Sequence, residues 1–280
     1  MDNETLTKEY SPSSCIDDVM VYIRQYEDQS RMADEKYGSQ CHRNIKYGPA
    51  ERAHMDIFAP KGRGPFPVHI FIHGGYWQEL SKAESLFAAP NFLNHDIIFI
   101  ALDYTLAPQA SLYQIVDEVR QGVLWCLNNI ADYNGDNQNI TLSGSSAGAH
   151  LVAETLGMDW TAQGYDTYPI KGACEVSGIY DLRPLVPTYV NDPLHMTVKD
   201  ATALSPLFHI PEKACPVIFS VGGNETNEFK RQTHDYQAAW KKAGHEATIV
   251  DMSAFNHFDI ILELNNENSP LFKTVLAQML

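Results

Sequence analysis

Residues Ile140-Thr141-Leu142 lead into Gly144-Ser145-Ser146-Ala147-Gly148, which leads into Ala149-His150-Leu151-Val152-Ala153-Glu154. A β-branched run, a Gly-x-Ser-x-Gly turn and a good helix former, in that order, describe a strand that turns sharply into a helix. Glycine has no Cβ, so the flanking glycines let backbone and substrate crowd a turn that would otherwise clash. Such a turn lifts the Ser146 hydroxyl off the sheet edge and sets the backbone N–H of Ala147 beside it. The pentapeptide alone also fits an ordinary turn; the strand-to-helix setting is what favours a nucleophile elbow. Ser145 is the neighbouring competitor, placed off the exposed point.

Upstream, Pro67-Val68-His69-Ile70-Phe71-Ile72 reads as a buried strand running into His73-Gly74-Gly75-Tyr76-Trp77. Glycines directly after a strand can turn their N–H groups toward one point. Donors aimed at a developing oxyanion are worth about 3–4 kcal/mol each. A His-Gly-Gly loop ahead of a Gly-x-Ser-x-Gly is the expected order for an oxyanion loop, so Gly74, Gly75 and Ala147 are the candidate donors. Tyr76 and Trp77 are candidate walls for an aromatic substrate; aromatics after a strand also serve simply as core.

A triad then needs an acid and a histidine further along the chain. Ala247–Met252 makes a strand, followed by Ser253-Ala254-Phe255-Asn256-His257-Phe258-Asp259. Of the 11 histidines, His257 alone combines a late position with a strand–loop–helix setting. It is the candidate base, and it needs a carboxylate to hold its tautomer. Glu225, just past the strand Pro216–Val221, is the preferred acid. Glu228 better suits the start of the next helix, where a negative charge meets the helix dipole favourably, and Asp181 is a third candidate.

From Pro67 onward strands and helices alternate. Strands are predicted at Asp96–Leu102, Ile140–Ser143, Cys174–Ser177, Val217–Val221 and Thr248–Met252, and helices at Leu112–Ile130 and Ala147–Leu156. Alternation of this kind gives an α/β fold, a mostly parallel sheet with helices on both faces. Residues 53–58 carry an earlier strand signal, and a charged helical arm is expected from Ile16 to about Lys36. Residues 1–280 are read as one domain, with 1–45 as an N-terminal arm. The connection Tyr180–Ile210, spotted with Pro184, Pro187, Pro193 and Pro206, is long for a loop without a function, so residues 180–210 are expected to cap the pocket as a loop or helical roof.

The chain resembles the arylformamidase (kynurenine formamidase) family of α/β-hydrolases. The residues that carry the resemblance are His73–Trp77, Gly144–Leu151, Ser177-Gly178-Ile179-Tyr180-Asp181-Leu182, Glu228-Phe229-Lys230-Arg231-Gln232 and Tyr10-Ser11-Pro12-Ser13. His-Gly-Gly-x-Trp is the more specific motif; Gly-x-Ser-x-Gly belongs to the whole superfamily. The resemblance implies a triad of Ser146, Glu225 and His257, with Glu225 at a position that is aspartate in animal relatives. It implies no metal and no cofactor. It implies hydrolysis of N-formyl-L-kynurenine to formate and L-kynurenine, in tryptophan breakdown, through an acyl-enzyme. The alternative is a general carboxylesterase or amidase for small acyl esters or aryl amides, since Asp103-Tyr104-Thr105-Leu106-Ala107-Pro108 resembles a segment of hormone-sensitive-lipase-like esterases. A binding protein without catalysis is disfavoured by a full set of triad residues in order.

Composition narrows the partners. The net charge is -15, from 20 Lys+Arg against 35 Asp+Glu, whereas nucleic-acid binding rests on basic patches. No stretch approaches the roughly 18 apolar residues of a membrane helix, and the acidic, polar Met1–Thr5 does not read as a secretory signal. Five scattered cysteines without Cys-x-x-Cys argue against a disulfide framework or zinc site and for a cytoplasmic setting. His69 and His73 lie four apart on a strand, about 13 Å, too far to share an ion, and Cys41-His42 stands alone. A small-molecule substrate is expected, with neither nucleic acid nor membrane as partner and a homodimer left open.

Overall fold

A computed structural model describes residues 1–280. The strands are β1 (Cys41–Lys46), β2 (His54–Phe58), β3 (Phe66–Ile72), β4 (Ile98–Leu102), β5 (Gly135–Ser145), β6 (Ile170–Val176), β7 (Val217–Asn224) and β8 (Ala247–Asn256). They form one sheet in the order β1-β2-β4-β3-β5-β6-β7-β8. β2 runs antiparallel to both its neighbours, and every pairing from β4 through β8 is parallel. The helices are α1 (Asn3–Glu9), α2 (Val19–Tyr37), α3 (Ala89–Asn94), α4 (Leu112–Asn129), α5 (Ala147–Leu156), α6 (Val198–Ala203), α7 (Asn227–Lys242) and α8 (Pro270–Ala277).

Side chains alternate across a strand, and here each alternate set meets its own core. Ile98, Ile100 and Leu102 join Val68, Ile70 and Ile72 beneath α4, α5 and α7. Phe99, Ala101 and Phe71 face the opposite layer, with residues of α2, α3 and α8. A sheet covered on both faces needs such near-continuous apolar strands, which is why the central ones are legible as sequence. The fold is the mostly parallel α/β sheet expected from that pattern, in the α/β-hydrolase architecture that the resemblance implies.

Differences from expectation lie at polar or short elements. β1 was not foreseen: four of its six residues are exposed, as befits an edge strand with a polar sequence. β5 and β8 extend beyond their apolar stretches, to Gly135 and to Asn256. The helix expected from Ile16 starts at Val19, because the Asp18 carboxylate accepts from the Met20 N–H and caps it there. The 180–210 connection contains α6, fixed by a capping box between Thr197 and Asp200, and short 3₁₀ turns at Arg183–Leu185 and Tyr189–Asn191.

Two histidines tie these layers together. His69 lies between Thr141 Oγ1 (2.8 Å) and Ser143 Oγ (2.6 Å) on β5, stacked on Phe92 at 4.2 Å. His150 on α5 donates from Nε2 to the Leu204 carbonyl at 2.8 Å, joining the helix to the 180–210 segment. Both are fully buried. Desolvation pushes His69 down to about 3 and His150 down to about 4, the latter against its Leu204 bond. Both are therefore neutral when folded, while an unfolded histidine takes up a proton below about pH 6.5. Stability must fall as pH drops from 7 toward 4, by about 2 kcal/mol per histidine at pH 5. His69→Gln should reduce the loss between pH 7 and pH 5 in urea unfolding; a loss as large as in the parent chain would contradict this assignment.

Candidate active site

Ser146 stands between the end of β5 and the first residue of α5, with φ 56 and ψ -119. A non-glycine residue in that region is strained, and such strain marks nucleophile elbows. Its space is made by glycine: a Cβ on Gly148 would lie 2.1 Å from the Ile72 carbonyl oxygen. Any larger residue would push α5 off β3. Ser146 is almost buried, yet its hydroxyl makes no hydrogen bond within the chain. It lines a cavity of about 380 Å³ together with His257, Gly74 and Gly75.

Registry brings the oxyanion loop alongside. Ile72 at the end of β3 pairs with Gly144 on β5, so the chain leaving β3 runs past the elbow. A Cβ on Gly74 would sit 2.7 Å from the Ser145 carbonyl oxygen and 3.4 Å from Ser146 Cβ. The carbonyls of this loop are engaged: Tyr104 Oη donates to His73 O at 2.9 Å and Gly74 O at 3.2 Å. The His73 ring stacks on Tyr104 at 4.2 Å, and its Nε2 donates to Asp103 Oδ1 at 3.3 Å. Arg52 closes this network with a 2.7 Å bond to the same oxygen. Burial opposes Asp103 ionisation, but His73 and Arg52 outweigh it and hold the carboxyl below its usual range. The N–H groups of Gly74 and Gly75 donate to no atom of the chain. Ala147, as the first helical residue, has no intrahelical acceptor for its own. The N–H groups of Gly74, Gly75 and Ala147 are thus all without an acceptor in the chain.

His257 and Glu225 meet. His257 Nδ1 donates to Glu225 Oε2 at 2.6 Å, which leaves Nε2 as the acceptor nitrogen. The other carboxylate oxygen is held twice, by Ser177 Oγ at 2.6 Å and by the Gly222 N–H at 2.6 Å. Both partners anchor the longer acid in place, and Phe229 packs edge-on against the His257 ring at 4.5 Å. The rival carboxylates are engaged elsewhere. Glu228 pairs with Arg231 (2.7 Å), which with the Tyr10 hydroxyl outweighs burial and holds it below its usual range. Asp181 pairs with Arg183 at 2.8 Å.

The two candidate aromatic walls part company. Tyr76 lines the cavity and donates from its hydroxyl to the Tyr10 carbonyl at 2.6 Å. Trp77 does not line it: the side chain is fully buried in the core with its ring 5.0 Å from His150. Trp77 is therefore corrected to a core residue. Left-handed φ values at Tyr76 (49) and Trp77 (62) swing successive side chains to different sides of the loop. Of the 180–210 segment only Tyr189 and Val190 reach the cavity, whereas the N-terminal arm supplies Pro12, Ser13, Val19, Met20, Ile23 and Tyr26. Ser145 also lines the cavity, as the last residue of β5. His69 and His73 have separate partners, as their strand spacing requires. Sequence reasoning missed Ser177 and the Asp103–Tyr104 brace. Ser177-Gly178 and Asp103-Tyr104 were visible only as parts of family motifs, with no local sign of what they touch.

A serine at a strand-to-helix turn, a histidine–carboxylate pair and unengaged N–H groups nearby are the equipment of acyl transfer, and the protein is a serine hydrolase of the α/β-hydrolase class. The BD-FAE family profile matches residues 55–238. A kynurenine formamidase of Danio rerio is 37% identical over 293 aligned residues, covering 100% of this chain and 97% of the relative. One of Salmo salar is 33% identical with the same coverage. Among solved structures, a protein assigned as a thioesterase from Silicibacter sp. TM1040 superimposes with a TM-score of 0.82 at 25% identity, covering 98% of both chains. The chain belongs to the kynurenine formamidase family and carries the BD-FAE match over residues 55–238.

The carboxylates can be ranked experimentally. Glu225→Gln should lower kcat by about 10⁴, the cost of favouring the wrong histidine tautomer in a serine triad. Ser177→Ala should lower kcat about tenfold through a loosened carboxylate, and Glu228→Gln and Asp181→Asn should leave it within a few-fold. Steady-state kinetics on the four variants decides; near-normal turnover in Glu225→Gln with collapse in Asp181→Asn would move the acid.

Proposed function

We propose that this chain hydrolyses the N-formyl amide of N-formyl-L-kynurenine, with Ser146 as nucleophile, His257 as general base and acid, and Glu225 as the residue that orients it. His257 Nε2 takes the Ser146 proton as the oxygen attacks the formyl carbonyl carbon. The N–H groups of Gly74, Gly75 and Ala147 receive the resulting oxyanion. Collapse breaks the C–N bond, and His257 returns the proton to the departing aryl amine, which leaves as L-kynurenine. Water, deprotonated by the same histidine, then attacks the formyl ester; the bond from the acyl carbon to Ser146 Oγ breaks, His257 returns the proton to Oγ, and formate leaves.

The observation that carries this reading is that His257, bonded to Glu225 at 2.6 Å, lines one cavity with Ser146, Gly74 and Gly75, whose N–H groups are unengaged. Full-length similarity to formamidases from two fishes supports the choice of substrate. We read residues 1–280 as one catalytic unit, since the arm and the 180–210 segment both reach the cavity. All site residues come from one chain, so the chemistry does not require a homodimer. Five cysteines without disulfide partners support a cytoplasmic setting, and no helix is long and apolar enough to cross a membrane.

The same triad opens esters, so acyl preference separates the formamidase from a carboxylesterase. A pocket fitted to formyl excludes larger acyl groups by overpacking, whereas an esterase pocket gains about 0.8 kcal/mol per buried methylene. On a common aryl amine, kcat/KM should fall steeply from formyl to acetyl to butyryl. Efficiency that rises toward butyryl, with negligible turnover of N-formylkynurenine, would hand the function to the esterase.

A further inference from the structure

Helix α2 comes from the N-terminal arm, far in sequence from every triad residue, yet one of its faces lies on the cavity. Met20, Ile23 and Tyr26 follow one another at three-residue spacing, which keeps them on one side of a helix, and all three line the same space as Ser146 and His257. Tyr26 is buried, and its hydroxyl donates to the carbonyl of Phe258 at 2.5 Å. One turn earlier, the Tyr22 hydroxyl accepts from Asn256 Nδ2 at 2.9 Å, and its ring stacks on Phe258 at 5.8 Å. The residues on both sides of His257 are thus held by one helix.

The same helix grips the other half of the machinery. The Tyr26 ring stacks on Phe87 at 5.8 Å, and Ser30 Oγ accepts from the Leu86 N–H at 3.0 Å. Both partners lie in the 3₁₀ segment Lys82–Ala88 that follows the oxyanion loop. α2 therefore spans from the histidine turn to that loop's continuation. Burial raises the Tyr26 hydroxyl's titration far out of the working range, so it stays a donor.

We propose that α2 is a working wall of the catalytic site: Tyr26 is a positioning residue for His257, acting through the Phe258 carbonyl, and Met20 and Ile23 limit the size of group that can reach Ser146. The proposal rests on the assignment of Ser146 and His257 above.

The test uses the full-length chain and a formyl, acetyl and butyryl series on one aryl amine. Tyr26→Phe keeps the ring stack and removes the hydroxyl. Its kcat should fall about tenfold, as small misplacements of reacting groups do, with KM within twofold and little change in Tm. A merely structural role would lower Tm without splitting kcat from KM. Tyr22→Phe, which removes the Asn256 acceptor, should show the same split more weakly and serves if Tyr26→Phe folds poorly. Ile23→Ala removes three side-chain carbons and should raise the butyryl-to-formyl ratio of kcat/KM at least about tenfold, the low end of what one methylene of pocket room discriminates. Met32→Ala, on the same helix but 60% exposed, should leave that ratio unchanged. Wild-type kcat in both tyrosine variants, or an Ile23→Ala ratio equal to that of Met32→Ala, overturns the proposal. A wild-type enzyme with no turnover on any of these substrates overturns the assignment of the site as well; an active wild type with unaffected variants overturns this inference alone.

Discussion

β3 and β5 pair in parallel and end level, Ile72 opposite Gly144, and the site depends on that registry. It sends two strands into sharp turns side by side, one carrying the free N–H groups of Gly74 and Gly75, the other carrying Ser146. The turns can lie this close only because small residues stand at the contact: Gly148 lets α5 pack on the Ile72 carbonyl, and Gly74 lets the loop pass the Ser145 carbonyl. A single Cβ at either point would separate donors from nucleophile. On the proposed assignment, these N–H groups are in place before charge develops, which is what makes preorganised donors effective.

The remaining members reach this point from β7 and β8, and each needs a brace. Glu225 is held at one oxygen by Ser177 and the Gly222 N–H, so that the other meets His257. The additional methylene relative to aspartate is accommodated by that double anchor. His257 in turn stands on a turn whose neighbours are bonded to α2. The oxyanion loop is braced by His73, Tyr104, Asp103 and Arg52. Glu225, His257 and the loop of Gly74 and Gly75 thus each have further residues holding them in place, drawn from different parts of the chain.

Much of this was legible in the sequence, for physical reasons that also explain what was not. Strands buried on both faces must be apolar throughout, so β3, β4, β6 and β7 stand out, whereas the polar edge strand β1 has no such signature. The elbow and the loop after β3 are each local: Gly144, Ser146 and Gly148 form one short motif and Gly74 and Gly75 another, and each shows in the spelling. Strand order made His257 a candidate and Glu225 the preferred carboxylate over Glu228 and Asp181, and the structure brings His257 and Glu225 together at 2.6 Å. Trp77 could not be placed, because adjacent residues in a left-handed turn diverge and the sequence of the loop does not say which one meets the cavity. Ser177, Tyr26 and Asp103 act only through contacts across 48, 232 and 30 residues of chain, separations over which no sequence period carries information.

The central claim is that Ser146 is the activated nucleophile, and covalent trapping tests it most directly. The native protein would be treated with an alkyl fluorophosphonate, digested, and the adduct located by tandem mass spectrometry. A single adduct on Ser146, formed far more slowly in Glu225→Gln, is the expected result. An adduct on Ser145, or an active enzyme that leaves Ser146 unmodified, would contradict it.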